Sequence, residues 1–169
     1  MLAECQMRLM QEDDLSDVLA WRNHPSVRAC MITQHEITMS EHALWFARAR
    51  SDKTRRLLIA EGLDGPIGFV QFTGLGTQSA ASWGFYLVPG LPRGNGTRLG
   101  RTALHFAFRE LRLHKLSGEV LAHNDASLRF HEKLGFRREG VLRQHRLVNG
   151  EWQDYICFGL LAREWAASE

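Results

Sequence analysis

The sequence lacks the residue patterns that mark a disulfide framework, a metal site or a membrane span. Its three cysteines, Cys5, Cys30 and Cys157, lie far apart and form no C-x-x-C pair, so we expect neither structural disulfides nor zinc. Its eight histidines show no H-x-x-x-H spacing, and no metal is predicted. No apolar run approaches the roughly 20 residues of a membrane span, which favours a cytoplasmic protein that does not bind membranes.

An excess of charge of one sign is also missing. The 21 basic residues are balanced by 19 acidic ones, and a formal charge of +2 does not predict binding to nucleic acid. No internal repeat, low-complexity tract or flexible linker interrupts the chain, which has only four prolines. With 169 residues, of which 44% are hydrophobic, residues 1–169 are expected to form one domain with a sizeable core.

Turn residues and hydrophobic periodicity divide the chain into the order strand, two helices, three strands, helix, strand, helix and two strands. A capping box at Thr38–Glu41, an Asn124 helix start and an Asn149-Gly150 hairpin turn are the clearest local signals. Strands are predicted at 6–10, 56–61, 67–72, 83–88, 115–122, 141–148 and 152–161, and helices at about 13–22, 38–51, 99–111 and 124–134. This order predicts an α/β (α+β) domain around a mostly antiparallel sheet.

One glycine-rich turn stands between a strand and a helix. It reads Arg93-Gly94-Asn95-Gly96-Thr97-Arg98-Leu99-Gly100 and follows the aromatic segment 82–88. Glycines and the free amides of a helix start can bind a phosphate or pyrophosphate, although the same residues also fit an ordinary helix cap. Neither the G-x-G-x-x-G dinucleotide fingerprint nor the GK[ST] of a P-loop is present.

This turn, together with Asn124-x-x-Ser127 and Glu132-Lys133-Leu134-Gly135-Phe136, resembles the GCN5-related N-acetyltransferase (GNAT) family. The resemblance implies the GNAT fold: a central sheet of about seven strands, with a splayed central pair and flanking helices. It implies acetyl-CoA as cosubstrate, with the pyrophosphate on the turn and pantetheine along the splayed strand. The cofactor-binding residues it implies are Leu87, Val88, Arg93, Gly94, Asn95, Gly96, Thr97, Arg98, Asn124, Ser127 and Lys133.

Two positions depart from the family pattern. The family usually has Gly or Ala where this chain has Arg98, so this side chain must either point away from the phosphate or pair with it. Many members place a tyrosine seven residues after the motif asparagine, where it protonates the departing thiolate. Here that position is His131, and two roles stay open for it: catalytic acid or structural hydrogen-bonding residue.

A closer resemblance links the chain to the sugar-nucleotide N-acetyltransferases of pseudaminic acid synthesis, which serve flagellin glycosylation. It rests on Trp21-Arg22-Asn23-His24-Pro25, Gln34-His35-Glu36-Ile37, Glu41-His42, Trp45-Phe46 and Glu139–Arg143. It implies a UDP-linked 4-amino-4,6-dideoxy sugar as the acceptor, whose 4-amine attacks the thioester directly.

Candidate residues for this acceptor follow from residue type. Arg22, Asn23 and Arg28 offer charge and polarity to the UDP group, and Met31, Phe85 and Tyr86 offer an apolar wall. His35 and Glu36 are the candidate bases, with ordered water as the alternative. Trp21 and Trp45 are predicted to lie in the core.

Two other functions stay open: acetylation of a protein N-terminus, as in ribosomal-protein acetyltransferases, and non-catalytic binding of acyl-CoA. The sequence does not decide between a monomer and a homodimer.

Overall fold

The computed structural model describes residues 5–167, which form a seven-stranded sheet with helices on both faces. The strands are β1 (Gln6–Leu9), β2 (Arg56–Gly62), β3 (Gly65–Thr73), β4 (Ala81–Leu87), β5 (Lys115–Leu121), β6 (Arg137–Val148) and β7 (Glu151–Leu161). Their order across the sheet is β1-β2-β3-β4-β5-β7-β6, and the one parallel neighbour pair among the described strands is β4–β5. The prediction of a mostly antiparallel sheet with a splayed central pair is confirmed.

The helices are α1 (Leu15–Asn23), α2 (Pro25–Arg28), α3 (Met39–Ser51), α4 (Asn95–His105), α5 (Asp125–Lys133) and α6 (Ala162–Ala166). The sequence did not predict the two short helices: α2 has a proline at its first position and is capped by the His24 side chain, and α6 directly follows β7. A π-helical turn at Phe106–Glu110 extends α4. The strand predicted at 141–148 begins earlier, at Arg137, because residues 137–142 pair with β7 although their side chains are exposed.

Two apolar clusters cover the two faces of the sheet. On one face, residues of α1 and α3 such as Val18 and Phe46 pack on Leu57, Ile59 and Phe69. On the other face, α4, α5 and α6 pack on the alternate residues of the same strands. Trp21 and Trp45, which were predicted to lie in the core, pack against the first cluster but are only partly buried.

The local signals read from the sequence are present as expected. The Thr38 side chain accepts a hydrogen bond from the Glu41 N–H, and the Glu41 carboxylate accepts one from the Thr38 N–H, which forms the capping box. The Asn124 side chain caps α5 in the same way, through the Ser127 N–H. Asn149 and Gly150 both have positive φ, as the tight turn between β6 and β7 requires.

The splay between β4 and β5 begins close to the start of β4. The two strands pair at Ala81–Leu116 and Ser82–Ser117 and then separate. The residues that follow these pairs are Trp83 and Gly118, and the His131 ring from α5 lies against both. We call this place the fork.

Candidate active site

A cavity of about 790 Å³ opens where β4 and β5 separate. Its volume lies in the range of small-molecule sites. One part is lined by residues of α1, of α3 and of the segment that follows α2, for example Arg22, His42 and Met31. The other part is lined from α4 and α5, for example by Gly96 and Ser127. The cavity therefore connects the two faces of the sheet, and we call these parts the acceptor half and the cofactor half.

Backbone amides of β4 point into the gap between the strands. The Val88 N–H donates to the Ile67 carbonyl of β3 over 2.8 Å. Since alternate amides of an antiparallel strand point to opposite sides, the N–H groups of Phe85 and Leu87 are directed toward β5 and the gap. These amides can hold the pantetheine chain and the carbonyl oxygen of a thioester. The Val88 amide is used within the sheet.

The first turn of α4 forms a cradle for an anion. Gly94 caps the helix with a φ of 102°, and no side chain caps the first-turn amides. The Arg98 N–H is bonded to the Gly94 carbonyl, so the N–H groups of Asn95, Gly96 and Thr97 have no partner within the helix. A Cβ on Gly96 would contact Leu87 and Phe130 at 3.5 and 3.9 Å, which places this backbone beside β4 and α5. These residues fit the pyrophosphate of acetyl-CoA.

Basic side chains around this turn have different positions. The Lys133 ammonium donates to the Thr97 hydroxyl over 3.1 Å, so it lies at the start of α4. Arg93 is exposed. The Arg98 guanidinium donates to the Asn95 side chain and lies over Gly62 at the end of β2. Arg98 therefore leaves the first-turn amides open, which answers the question raised by its departure from the family pattern.

His131 is buried at the fork, with 3% of its surface exposed. Its Nε2 accepts a hydrogen bond from the Trp83 indole N–H at 3.2 Å, so the ring proton lies on Nδ1, which donates to the Ser127 carbonyl at 2.8 Å. Burial lowers the pKa of His131, and the hydrogen bond to Ser127 raises it by a smaller amount. The ring lines the cavity as a neutral imidazole with both nitrogens engaged.

The cap of α5 also lies in the cofactor half. Asn124 and Ser127 both line the cavity. Because the Asn124 side chain is bonded to the Ser127 N–H, it fixes the start of the helix that carries His131.

The acceptor half holds polar atoms that the protein leaves unpaired. Among residues 5–167, five buried side-chain atoms have no hydrogen-bond partner: Arg22 Nη1, Arg28 Nε, His42 Nε2, Gln71 Oε1 and Arg98 Nε. Three of them belong to the lining residues Arg22, His42 and Gln71, whereas Arg28 and Arg98 do not line the cavity. Arg22 and Arg28 are close enough for each charge to act on the other, and burial is the main cause that lowers the Arg22 pKa. Unpaired buried groups are costly, so this wall is complementary to a polar ligand.

The other predicted acceptor residues divide into two groups. Met31, Phe85 and Tyr86 line the cavity, and the Tyr86 ring stacks on Phe69 at 5.1 Å between centroids. Burial raises the pKa of Tyr86, so its hydroxyl stays neutral. Asn23 does not line the cavity: both ends of its amide bond the Ile37 backbone at 2.8 Å, which ties the segment after α2 to α1.

The two candidate bases differ in position. His35 lines the mouth of the cavity, and its Nε2 lies 3.2 Å from a Glu41 carboxylate oxygen. The Glu36 side chain is 77% exposed and is absent from the cavity lining; its carboxylate lies 3.9 Å from Arg28. The sequence reasoning did not assign His42 or Gln71 to the site, because neither lies in a spacing pattern that distinguishes it from a core residue.

The family model described as the acetyltransferase (GNAT) domain matches residues 5–137. The chain belongs to the GNAT family. The matched domain is that of acetyltransferases, which use acetyl-CoA as their cosubstrate. The groups in the cofactor half are those that such a cosubstrate requires.

Curated relatives and solved structures show what this acetyltransferase is similar to. An uncharacterised N-acetyltransferase of Bacillus subtilis, YokL, is 39% identical over 87 residues, 50% of this chain and 49% of that protein. The chain thus spans about half the length of this relative. Acetyltransferase PseH of Campylobacter jejuni is 24% identical over 127 residues, 75% of this chain and 79% of that protein.

The fold is that of spermidine N-acetyltransferase from Vibrio cholerae, solved with CoA and spermine. The TM-score is 0.86 at 22% identity, with 96% of this chain and 98% of that chain covered. At this identity the likeness describes the fold and carries no information on the acceptor.

No helix within residues 5–167 is long and apolar enough to cross a bilayer. No group of three His, Cys, Asp or Glu side chains is placed to hold a metal ion in that part of the chain.

Proposed function

We propose that this enzyme acetylates the 4-amino group of a UDP-linked 4-amino-4,6-dideoxy sugar, such as UDP-4-amino-4,6-dideoxy-N-acetyl-β-L-altrosamine in pseudaminic acid synthesis. The observation that supports this acceptor is Arg22, whose guanidinium lines the acceptor half with its Nη1 buried and unpaired, together with the nearby positive charge of Arg28. A diphosphate is the part of such a substrate that would pair with Arg22. The match to PseH over three quarters of the chain agrees with this acceptor.

The apolar part of the same wall fits the remainder of the sugar. Met31 and Tyr86 line the cavity beside Arg22, and their surfaces suit a 6-deoxy methyl group. Two carboxylates also line the cavity. Glu41 is held by the capping box with Thr38 and by His35, whereas Glu119 is exposed, so a polyamine is the acceptor against which the sugar has to be tested.

The reaction balances as a direct transfer. The neutral amine nitrogen forms a bond with the thioester carbonyl carbon, the carbon–sulfur bond breaks, and the CoA thiolate takes up one proton while the amine loses one. The Phe85 and Leu87 N–H groups hold the carbonyl oxygen as its negative charge grows. Orientation of the two substrates in one cavity supplies much of the rate. The role of His35 or Glu36 as base and the cytoplasmic location stay predictions, and for His131 the acid and the structural role are the two alternatives to be tested.

Release of free thiol from acetyl-CoA tests the acceptor. We expect turnover with the UDP-4-amino sugar, none with spermidine or an N-terminal alanine peptide, and competitive inhibition by UDP against the sugar. Turnover with the peptide or spermidine alone would refute the proposal. Tight CoA binding without turnover on any of the three would favour a non-catalytic acyl-CoA-binding protein.

The arginine pair gives a sharper test of the same proposal. We expect Arg22→Gln to raise the KM for the UDP-sugar about tenfold to hundredfold, since a hydrogen bond to a charged group contributes about 1.5–3 kcal/mol. The KM for acetyl-CoA should stay the same. Arg56→Gln, which removes an exposed arginine on β2, is the matched control and should change neither constant. An Arg22→Gln enzyme with an unchanged UDP-sugar KM would contradict the anion site.

A further inference from the structure

Gln71 is a polar residue at an apolar position of the central sheet. It lies on β3 between Leu57 of β2 and Gly84 of β4 in the register of the sheet. Its side chain shares a face with Phe69, two residues earlier, and both residues line the cavity. On this face the neighbouring strand positions are occupied by buried Leu57 and Ile59. A glutamine here is not explained by packing.

The Gln71 amide is held in place but not satisfied. A Cβ on Gly84 would lie 3.3 Å from Gln71 Nε2 and 3.6 Å from its Cγ, so the side chain lies across the space that this glycine leaves. Oε1 is buried without a hydrogen-bond partner among the described residues. A buried acceptor of this kind lowers stability unless a ligand provides the donor.

The position of this amide relates it to the reaction centre. Gly84 directly precedes Phe85, whose N–H points into the gap between β4 and β5. Gln71 therefore lies on the acceptor side of the part of β4 whose amides can hold the thioester carbonyl.

We propose that Gln71 binds the attacking amine and orients it. Its Oε1 accepts a hydrogen bond from one N–H of the neutral amine, which leaves the nitrogen lone pair directed at the thioester carbonyl. An uncharged amide suits this task because a carboxylate at the same place would favour the ammonium form, which has no lone pair for attack. This role rests on the proposed amine acetylation, and it applies to whichever amine the enzyme accepts.

Gln71→Leu is the variant that tests the role, because it keeps the approximate volume and removes both polar atoms. We expect kcat/KM for the acceptor to fall about tenfold to hundredfold, in line with the loss of one buried hydrogen bond to an amine. The KM for acetyl-CoA should be unchanged, and the melting temperature should be unchanged or higher because an unpaired buried acceptor is gone. If Gln71 had only a structural role, the Gln71→Leu substitution would instead lower the melting temperature and would not change the kinetics of the folded enzyme.

Two companion variants complete the test. Thr73→Val makes a similar polar-to-apolar change two residues further along the same face, outside the cavity lining, and should leave kcat/KM unchanged. Gly84→Ala shifts the Gln71 amide by a few tenths of an ångström and should lower kcat/KM for the acceptor in the same direction but less, so the proposal stays testable if Gln71→Leu does not fold.

The assay uses the best amine found for the wild-type enzyme, which separates two failures. Absence of turnover with the UDP-sugar, but turnover with another amine, refutes the proposed acceptor and leaves Gln71 testable with that amine. Unchanged acceptor kcat/KM in folded Gln71→Leu, or an equal rise in the KM for acetyl-CoA, overturns the role of Gln71 whatever the acceptor is.

Discussion

Replacement of His131 by phenylalanine distinguishes a proton donor from a residue that positions the cleft. The resemblance to the family places His131 where many members have an acidic tyrosine. In the structure, however, Nε2 accepts from Trp83 and Nδ1 donates to Ser127. To donate from Nε2, the ring must first gain a proton there and lose the hydrogen bond from Trp83. Burial lowers the pKa of His131 and so disfavours this protonation. We therefore expect His131→Phe to act on stability more than on kcat.

The size of each effect follows from these contacts. His131→Phe leaves the Trp83 indole N–H buried and unpaired, at a cost of about 1–3 kcal/mol in the free energy of unfolding. The Ser127 carbonyl is less affected because it belongs to α5. Loss of a general acid costs about 10²–10⁴-fold in rate, whereas loss of a positioning contact in a preserved cleft should change kcat less than about tenfold.

The assay combines urea unfolding with thiol release at saturating substrates across a pH series. Trp83→Phe is the matched variant, because it breaks the same hydrogen bond and keeps the imidazole. We expect similar losses of stability in the two variants and similar, small changes in kcat. A loss of kcat above a hundredfold in His131→Phe alone, together with loss of one limb of the pH–kcat profile, would refute this reasoning and establish His131 as the acid.

Two further predictions concern the cofactor half and pH. Gly96→Val should raise the Kd of acetyl-CoA at least tenfold by titration calorimetry, since its side chain would stand beside the first-turn amides; Gly140→Val, at an open position of β6, is not expected to change it. Burial lowers the pKa of His42, so its contribution to folding is complete above the unfolded value of about 6.5 and is lost as pH falls below it. The drop in unfolding free energy between about pH 7.5 and about pH 5 should therefore be smaller in His42→Phe, and an equal drop would contradict the assignment.

Local signals in the sequence predicted most of the fold. The capping box at Thr38, the Asn124 cap and the Asn149-Gly150 turn each act within a few residues, so the chain determines them without tertiary context. The early start of β6 could not be predicted in this way. Its exposed residues carry no hydrophobic alternation, and it forms because β7 offers an edge for pairing.

The cofactor half of the site was more predictable than the acceptor half for a related reason. Gly94 and Gly96 form a compact motif in which neighbouring residues make the site together. The acceptor half is assembled from α1, α3, β3 and β4, which are far apart in the chain. Its informative property is that Arg22, His42 and Gln71 have buried atoms without partners. A sequence shows which residues are polar, but it does not show which of them the fold leaves unpaired.

The fork connects the structural role of His131 with the shape of the active site. Ser82 and Ser117 are the last paired residues of β4 and β5, and the next two, Trp83 and Gly118, both contact the His131 ring. A Cβ on Gly118 would lie 2.7 Å from His131 Nε2, so glycine is what allows the ring to reach the β5 backbone. The Trp83 hydrogen bond then fixes α5 to β4 at the point of divergence. Since the Phe85 and Leu87 amides are free for substrate only if the strands stay apart, a residue fixed at this point supports acetyl transfer without exchanging a proton.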